Sequence, residues 1–121
     1  VVLQKGIAPT TIAISGTQVI DITTPDNTSC YASIELTGTG AGGGTDQTIK
    51  TWDIGFFHYS GGELLTPTVT VKTSLGTYAA LLTATCAWLN ATQHRITITN
   101  TNAGAFSATI GMRVVGNGAT L

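Results

Sequence analysis

The sequence predicts an all-β fold, an antiparallel β-sandwich of jelly-roll-like or immunoglobulin-like type with about nine strands. Three observations predict it. Apolar residues recur at every second position in segment after segment, the period of a strand with one buried and one wet face. The gaps between those segments carry Gly, Pro, Asn and Asp, which tolerate or preset turn geometry. Thr fills 24 of 121 positions and Gly 15, whereas Lys and Glu number three and two. That is a strand-forming composition with a hydroxyl and amide surface.

Taken in chain order, residues 1–9 precede the first clear strand and end at Pro9. This segment reads as an arm reaching away from the domain or as the tail of an upstream linker, and residues 10–121 as one sandwich. Val1, Val2, Leu3 and Ile7 are the candidate interface residues of the arm, because apolar side chains left in water call for a partner. Strands follow at 11–15, 18–23 and 30–36, then a Gly-rich loop over 37–45 and a long strand over 49–59. Thr68-Val69-Thr70-Val71-Lys72-Thr73 alternates strictly. Segments 78–82 and 85–89 are shorter. Ala79, Ala80, Leu81 and Leu82 favour helix, but the flanking Thr83 and Thr85 tip the segment to strand. His94-Arg95-Ile96-Thr97-Ile98-Thr99 and the run from Ala108 to Val115 complete the set. The shared parity places Trp52, Ile54, Phe56, Val69, Val71, Ile96, Ile98, Ile110, Met112 and Val114 in the core. Most other aromatics, including Phe57, Tyr59, Tyr78, Trp88 and Phe106, are assigned to it as well.

Five basic and six acidic side chains leave a net charge of −1. So sparse a set of cations argues against nucleic acid as a partner and against a polybasic membrane surface. No apolar run reaches the length of a spanning helix. Eleven charges on a chain of this length suit a protein covered by neighbours, so a homo-oligomer is expected. Val1-Val2-Leu3 runs into Gln4-Lys5, which does not resemble a secretory leader. Cys30 and Cys86 form one bridge or stay as two buried thiols, and the sequence leaves both open.

The motifs weigh against catalysis. Gly38-Thr39-Gly40-Ala41-Gly42-Gly43 fits G-x-G-x-x-G, but a strand rather than a helix follows, so no pyrophosphate site forms. Asp53, His58 and Glu63 suggest an acid–base or metal cluster, yet strand parity turns Asp53 and His58 to opposite faces. His58 and His94 are the two imidazoles, too few for a zinc site by themselves. No nucleophile motif is present. The expectation is no enzyme, no cofactor and no metal.

Two stretches carry a resemblance. Thr51-Trp52-Asp53-Ile54-Gly55 leads to Leu64-Leu65-Thr66-Pro67-Thr68-Val69-Thr70-Val71. Later, Arg95-Ile96-Thr97-Ile98-Thr99-Asn100 leads to Ser107-Ala108-Thr109-Ile110-Gly111-Met112-Arg113-Val114-Val115. Together, over roughly residues 48–116, they resemble a β-sandwich domain of tailed-bacteriophage virion proteins, of fibre, tail-associated or capsid-decoration type. The family usually carries more charge in these strands. The resemblance implies a non-enzymatic structural component of the virion, often trimeric, bound to other capsid or tail proteins. A host surface glycan is a further partner in prospect. The competing reading is a carbohydrate-binding module or adhesin of a secreted bacterial protein, with the aromatic set exposed for sugar stacking.

Overall fold

A computed structural model describes residues 2–12, 16–40, 43–101 and 104–120, with side chains described from Ile12 onward except at 43 and 44. Among the described residues, eight strands form two antiparallel sheets. In chain order they are β1 (Val2–Ile12), β2 (Thr17–Thr23), β3 (Thr28–Gly40), β4 (Gln47–His58), β5 (Thr68–Leu75), β6 (Leu82–Asn90), β7 (Gln93–Asn100) and β8 (Phe106–Gly116). One sheet has five strands in the order β1-β8-β3-β4-β5, and the other has three in the order β2-β7-β6. The chain ends fold together as in a jelly roll: β1 pairs with β8 in one sheet and β2 with β7 in the other. The middle of the chain departs from that plan, because β3, β4 and β5 run as a meander within the larger sheet.

The alternation does what its period requires. On β8, Phe106, Ala108, Ile110, Met112 and Val114 are buried. On β3, Cys30, Ala32, Ile34 and Leu36 are buried, and on β4 Trp52, Ile54 and Phe56. Ile96 and Ile98 of β7 meet them from the opposite sheet with no exposed surface. These side chains form one continuous core, whose burial drives the folding of a chain poor in other stabilising groups. Backbone hydrogen bonds between Thr23 and Thr120, in both directions, tie the end of β8's return to the end of β2.

Five sequence expectations need correction or restatement. Among the described residues the count is eight strands, not about nine. Residues 79–81 form a short 3-10 helix instead of a strand, with Leu81 N–H donating to the Tyr78 carbonyl, so the local preference of the Ala-Ala-Leu run prevails there. The strand expected at 11–15 starts much earlier: residues 2–12 form the edge strand β1, shifted in register between Ile7 and Thr10 around Pro9. A proline has no N–H for the ladder, so an edge strand at an irregularity is where it fits. Residues 13–15 lie outside the described set. The arm thus has its backbone hydrogen-bonded to β8; Val1 lies outside the described residues, and the side chains of Val2, Leu3 and Ile7 are not among those described. Fourth, Val71 is not a core residue, being 50% exposed. On β5, Val69 is half-buried against the core whereas Val71 beyond it is not, and the strand's register with β4 slips between Thr51 and Trp52. Fifth, Phe57 and Tyr59 are exposed, while Trp88 and Tyr78 are only half-buried.

Cys30 and Cys86 are both free thiols. Burial pushes the Cys30 thiol up to about 11. Burial, with Glu63 and Cys30 nearby, pushes Cys86 up to about 12. Both are therefore weak nucleophiles.

Candidate functional site

The end of β4 faces two ways, and each face builds a cluster. Phe57 points out of the sandwich and His58 into it, as successive strand residues must.

The outward cluster lies on the uncovered face of the five-stranded sheet. Tyr31 pairs across the strands with Gly55, and Phe57 follows two residues along. Tyr31 and Phe57 are each 47% exposed. A side chain at Gly55 would meet nothing, so the glycine leaves an open floor between two aromatic rings. Leu65, Thr66 and Thr68 complete a shallow pocket of about 430 Å³ with them. Polar groups border it. The neighbouring Asp53 carboxylate, through hydrogen bonding and charge, and partial burial raise the Tyr31 phenol above its ordinary value. Lys72 stands 3.6 Å from the other side of Asp53. Leu64 and Leu65 of the following loop are among the most exposed apolar residues, and Leu75 and Ile49 add a second apolar patch toward the other end of β5.

The inward cluster joins three residues distant in sequence. His58 Nδ1 lies 2.8 Å from His94 Nδ1, and His58 Nε2 lies 2.9 Å from the Ala91 carbonyl oxygen. His94 Nε2 lies 3.1 Å from Glu63 Oε1, while Glu63 Oε2 accepts the Trp88 backbone N–H at 2.7 Å. The Trp88 indole N–H donates to the Tyr59 carbonyl at 2.8 Å. The Phe56 ring stacks on His94, centroids 4.3 Å apart. Both imidazoles are buried. Burial holds His94 below its ordinary value; the hydrogen bond and charge of Glu63 oppose that, and His58 adds to it.

The two imidazoles face each other at hydrogen-bond distance through their Nδ1 atoms. Two nitrogens on one zinc stand about 3.3 Å apart, given Zn–N bonds of about 2.0–2.1 Å at tetrahedral angles; these two are at hydrogen-bond distance. Among the described residues no metal-holding group of three or more His, Cys, Asp or Glu occurs. A buried amine lies elsewhere on the same strand: Lys50 Nζ donates to the Ala79 carbonyl at 2.6 Å, and desolvation lowers its pKa. It anchors the 3-10 helix to the sheet.

Parity correctly separates Asp53 from His58, outward and inward. The same parity puts His94 on the buried Ile96–Ile98 face, and that signal was sufficient to place both imidazoles between the sheets. Nothing in the sequence brings Glu63 to them, because it sits on a loop with no period. Tyr31, on the outer face of β3, was missed as a surface residue for want of any mark beyond alternation.

No family model matches the chain, and no curated protein matches it. Two solved structures are similar at low identity. One is the tailspike protein of Acinetobacter baumannii phage AM24, with 10% identity, a TM-score of 0.40, and coverage of 93% of this chain and 26% of that one. The other is the tailspike protein of Acinetobacter phage vB_ApiP_P1, with 14% identity, a TM-score of 0.40, and coverage of 97% and 22%. The chain spans about a quarter of the length of either.

Proposed function

We propose that this chain is a non-enzymatic structural component of a bacteriophage virion, a self-associating surface domain such as a fibre, tail-associated or capsid-decoration module. The observation that carries the reading is the outer face of the five-stranded sheet. Leu64, Leu65 and Leu75 are 62, 58 and 61% exposed, beside Tyr31 and Phe57, on a chain with eleven charged side chains. Apolar surface of this extent on so weakly charged a protein favours burial against neighbours. Closed rings of identical subunits form through heterologous contacts, and a trimer is the state put forward. The strand resemblance to phage virion domains supports the same reading. Edge strand β1, at the opposite margin from β5, is the proposed attachment element, because among the described residues no strand pairs with its outer edge.

The test uses antibodies raised against the isolated chain. Applied to phage particles purified from a lysate of the source, they label a defined position on each particle under the electron microscope. Absence of the protein from purified particles contradicts the reading.

A specific observation favours a second reading, contact with a glycan. The pair Tyr31 and Phe57 flanks the open floor at Gly55, with Asp53 and Ser33 within reach of the Tyr31 hydroxyl. Exposed aromatic faces beside hydrogen-bonding groups suit sugar rings. Calorimetric titration with host surface polysaccharide distinguishes the two: heat lost in Tyr31→Ala supports a glycan site, and no heat at millimolar sugar removes it.

A further inference from the structure

The hydrogen bonds around His58 and His94 fix a proton count. The Ala91 carbonyl only accepts, so His58 Nε2, 2.9 Å away, carries a hydrogen. An ionised Glu63 also only accepts, so His94 Nε2, 3.1 Å from it, carries another. Between the two Nδ1 atoms, 2.8 Å apart, one hydrogen must lie; otherwise two lone pairs face each other in the core. That makes three hydrogens on four ring nitrogens. Two neutral imidazoles supply two.

We propose that His58 and His94 form a buried proton-binding site that holds one added proton between their Nδ1 atoms, balanced by Glu63, and that this proton clasps the loop of residues 59–67 to the sandwich. The site is assembled from β4, β7 and that loop, none of which holds it alone. Glu63 has its second oxygen on the Trp88 amide of β6, so releasing it frees the loop that carries Leu64 and Leu65. The inference is independent of what the outer face binds.

The groups around the site keep the count at one. Glu63 faces His94 from the loop and supplies the balancing charge. Asp26, on the turn between β2 and β3, is held below the ordinary carboxylate range, first by the Ser60 backbone N–H and in smaller part by the charge of His58. The thiol of Cys86 on β6 stays neutral, pushed to about 12, as does that of Cys30 on β3, at about 11. The Phe56 ring covers His94 from the sheet side. A second added proton is resisted, because it would set N–H against N–H. Burial of His94 and the charge of His58 work against any proton added there, and the hydrogen bond and charge of Glu63 work for it.

Stability therefore peaks near the ordinary imidazole pKa of about 6.5. Below it, the unfolded chain binds more protons than the folded one, and stability falls with pH. Above it, the folded chain keeps a proton that the unfolded chain has lost, and stability falls as pH rises. Cysteines of the unfolded chain titrate near 8.5, so the informative window closes at about pH 8.

The test exploits the chain's having two histidines and no more. Nitrogen-15 spectra of the imidazoles at about pH 7, near the ordinary histidine range, should show three protonated nitrogens in the wild-type protein. In Glu63→Gln the carboxamide N–H donates to His94 Nε2 while its oxygen still accepts from Trp88, so the added proton is not needed and two protonated nitrogens are expected. Two neutral rings in the wild type, or an unchanged count in the variant, overturn the proposal. A second measurement needs no variant. Between about pH 6.5 and 8 the wild-type unfolding constant should rise by up to tenfold per pH unit, and a flat profile overturns the proposal as well.

Discussion

Strands β5 and β7 carry nearly the same pattern and meet opposite fates. Thr68-Val69-Thr70-Val71-Lys72-Thr73 and His94-Arg95-Ile96-Thr97-Ile98-Thr99 both alternate apolar with polar. On β7 every second residue is buried, from His94 to Asn100. On β5 no residue is buried, and Val69 alone among its apolar residues is half-covered. The difference is position. β7 is the central strand of its sheet, whereas β5 is last in a row of five opposite a sheet of three. Period two specifies a strand and its two faces; what covers each face is settled by strand order, which is a property of the whole chain.

The largest expected effect lies on β7. Ile98→Ala removes a side chain with no exposed surface and should cost about 2–5 kcal/mol. The check is the midpoint of urea unfolding. A loss below about 0.5 kcal/mol, the usual surface value, would place Ile98 outside the core and erase the contrast. Next is Asn100, at the end of the same strand. Its buried amide donates to the carbonyls of Ile12 and Gly104 at 3.2 and 2.8 Å. Asn100→Ala leaves those acceptors without their donor and should cost about 1–3 kcal/mol, measured the same way.

How far the sequence reveals this contrast depends on the kind of residue. Ile54, Ile98 and Ile110 are legible because their parity is uninterrupted over a whole strand. Val71 has the same parity and is misplaced, since nothing local marks an uncovered edge. Residues 79–81 fail differently: three residues are too short for any period, and the Ala-Ala-Leu preference decides. The half of the site that lies on strands, His58 and His94, follows from parity. Glu63 does not, because a loop residue is positioned by where its flanking strands end.

Smaller effects sharpen the comparison on the wet face of β7. Arg95 makes a bidentate pair with Asp21 of β2 at 2.8 and 3.1 Å. The guanidinium's hydrogen bond lowers the Asp21 pKa, so the pair's contribution is present above the ordinary carboxylate value and is lost as pH falls through the lowered one. Both side chains are substantially exposed, at 40 and 31%. Arg95→Ala should therefore cost less than about 1 kcal/mol at neutral pH, and acid titration of the wild type and variant should converge at low pH. Smallest of all is Val71→Ala, expected within about 0.5 kcal/mol. A cost comparable to that of Ile98→Ala would mean that β5 is covered in the isolated chain.

The central claim is that the uncovered side of the five-stranded sheet is an assembly surface, and molar mass in solution tests it most directly. Light scattering at micromolar concentration should give a stable oligomer, with three copies the expected number. Leu65→Asp, at a side chain 58% exposed, should return the chain to a folded monomer. A wild-type chain that is monomeric under these conditions, or an oligomer indifferent to the charge placed at Leu65, contradicts the account.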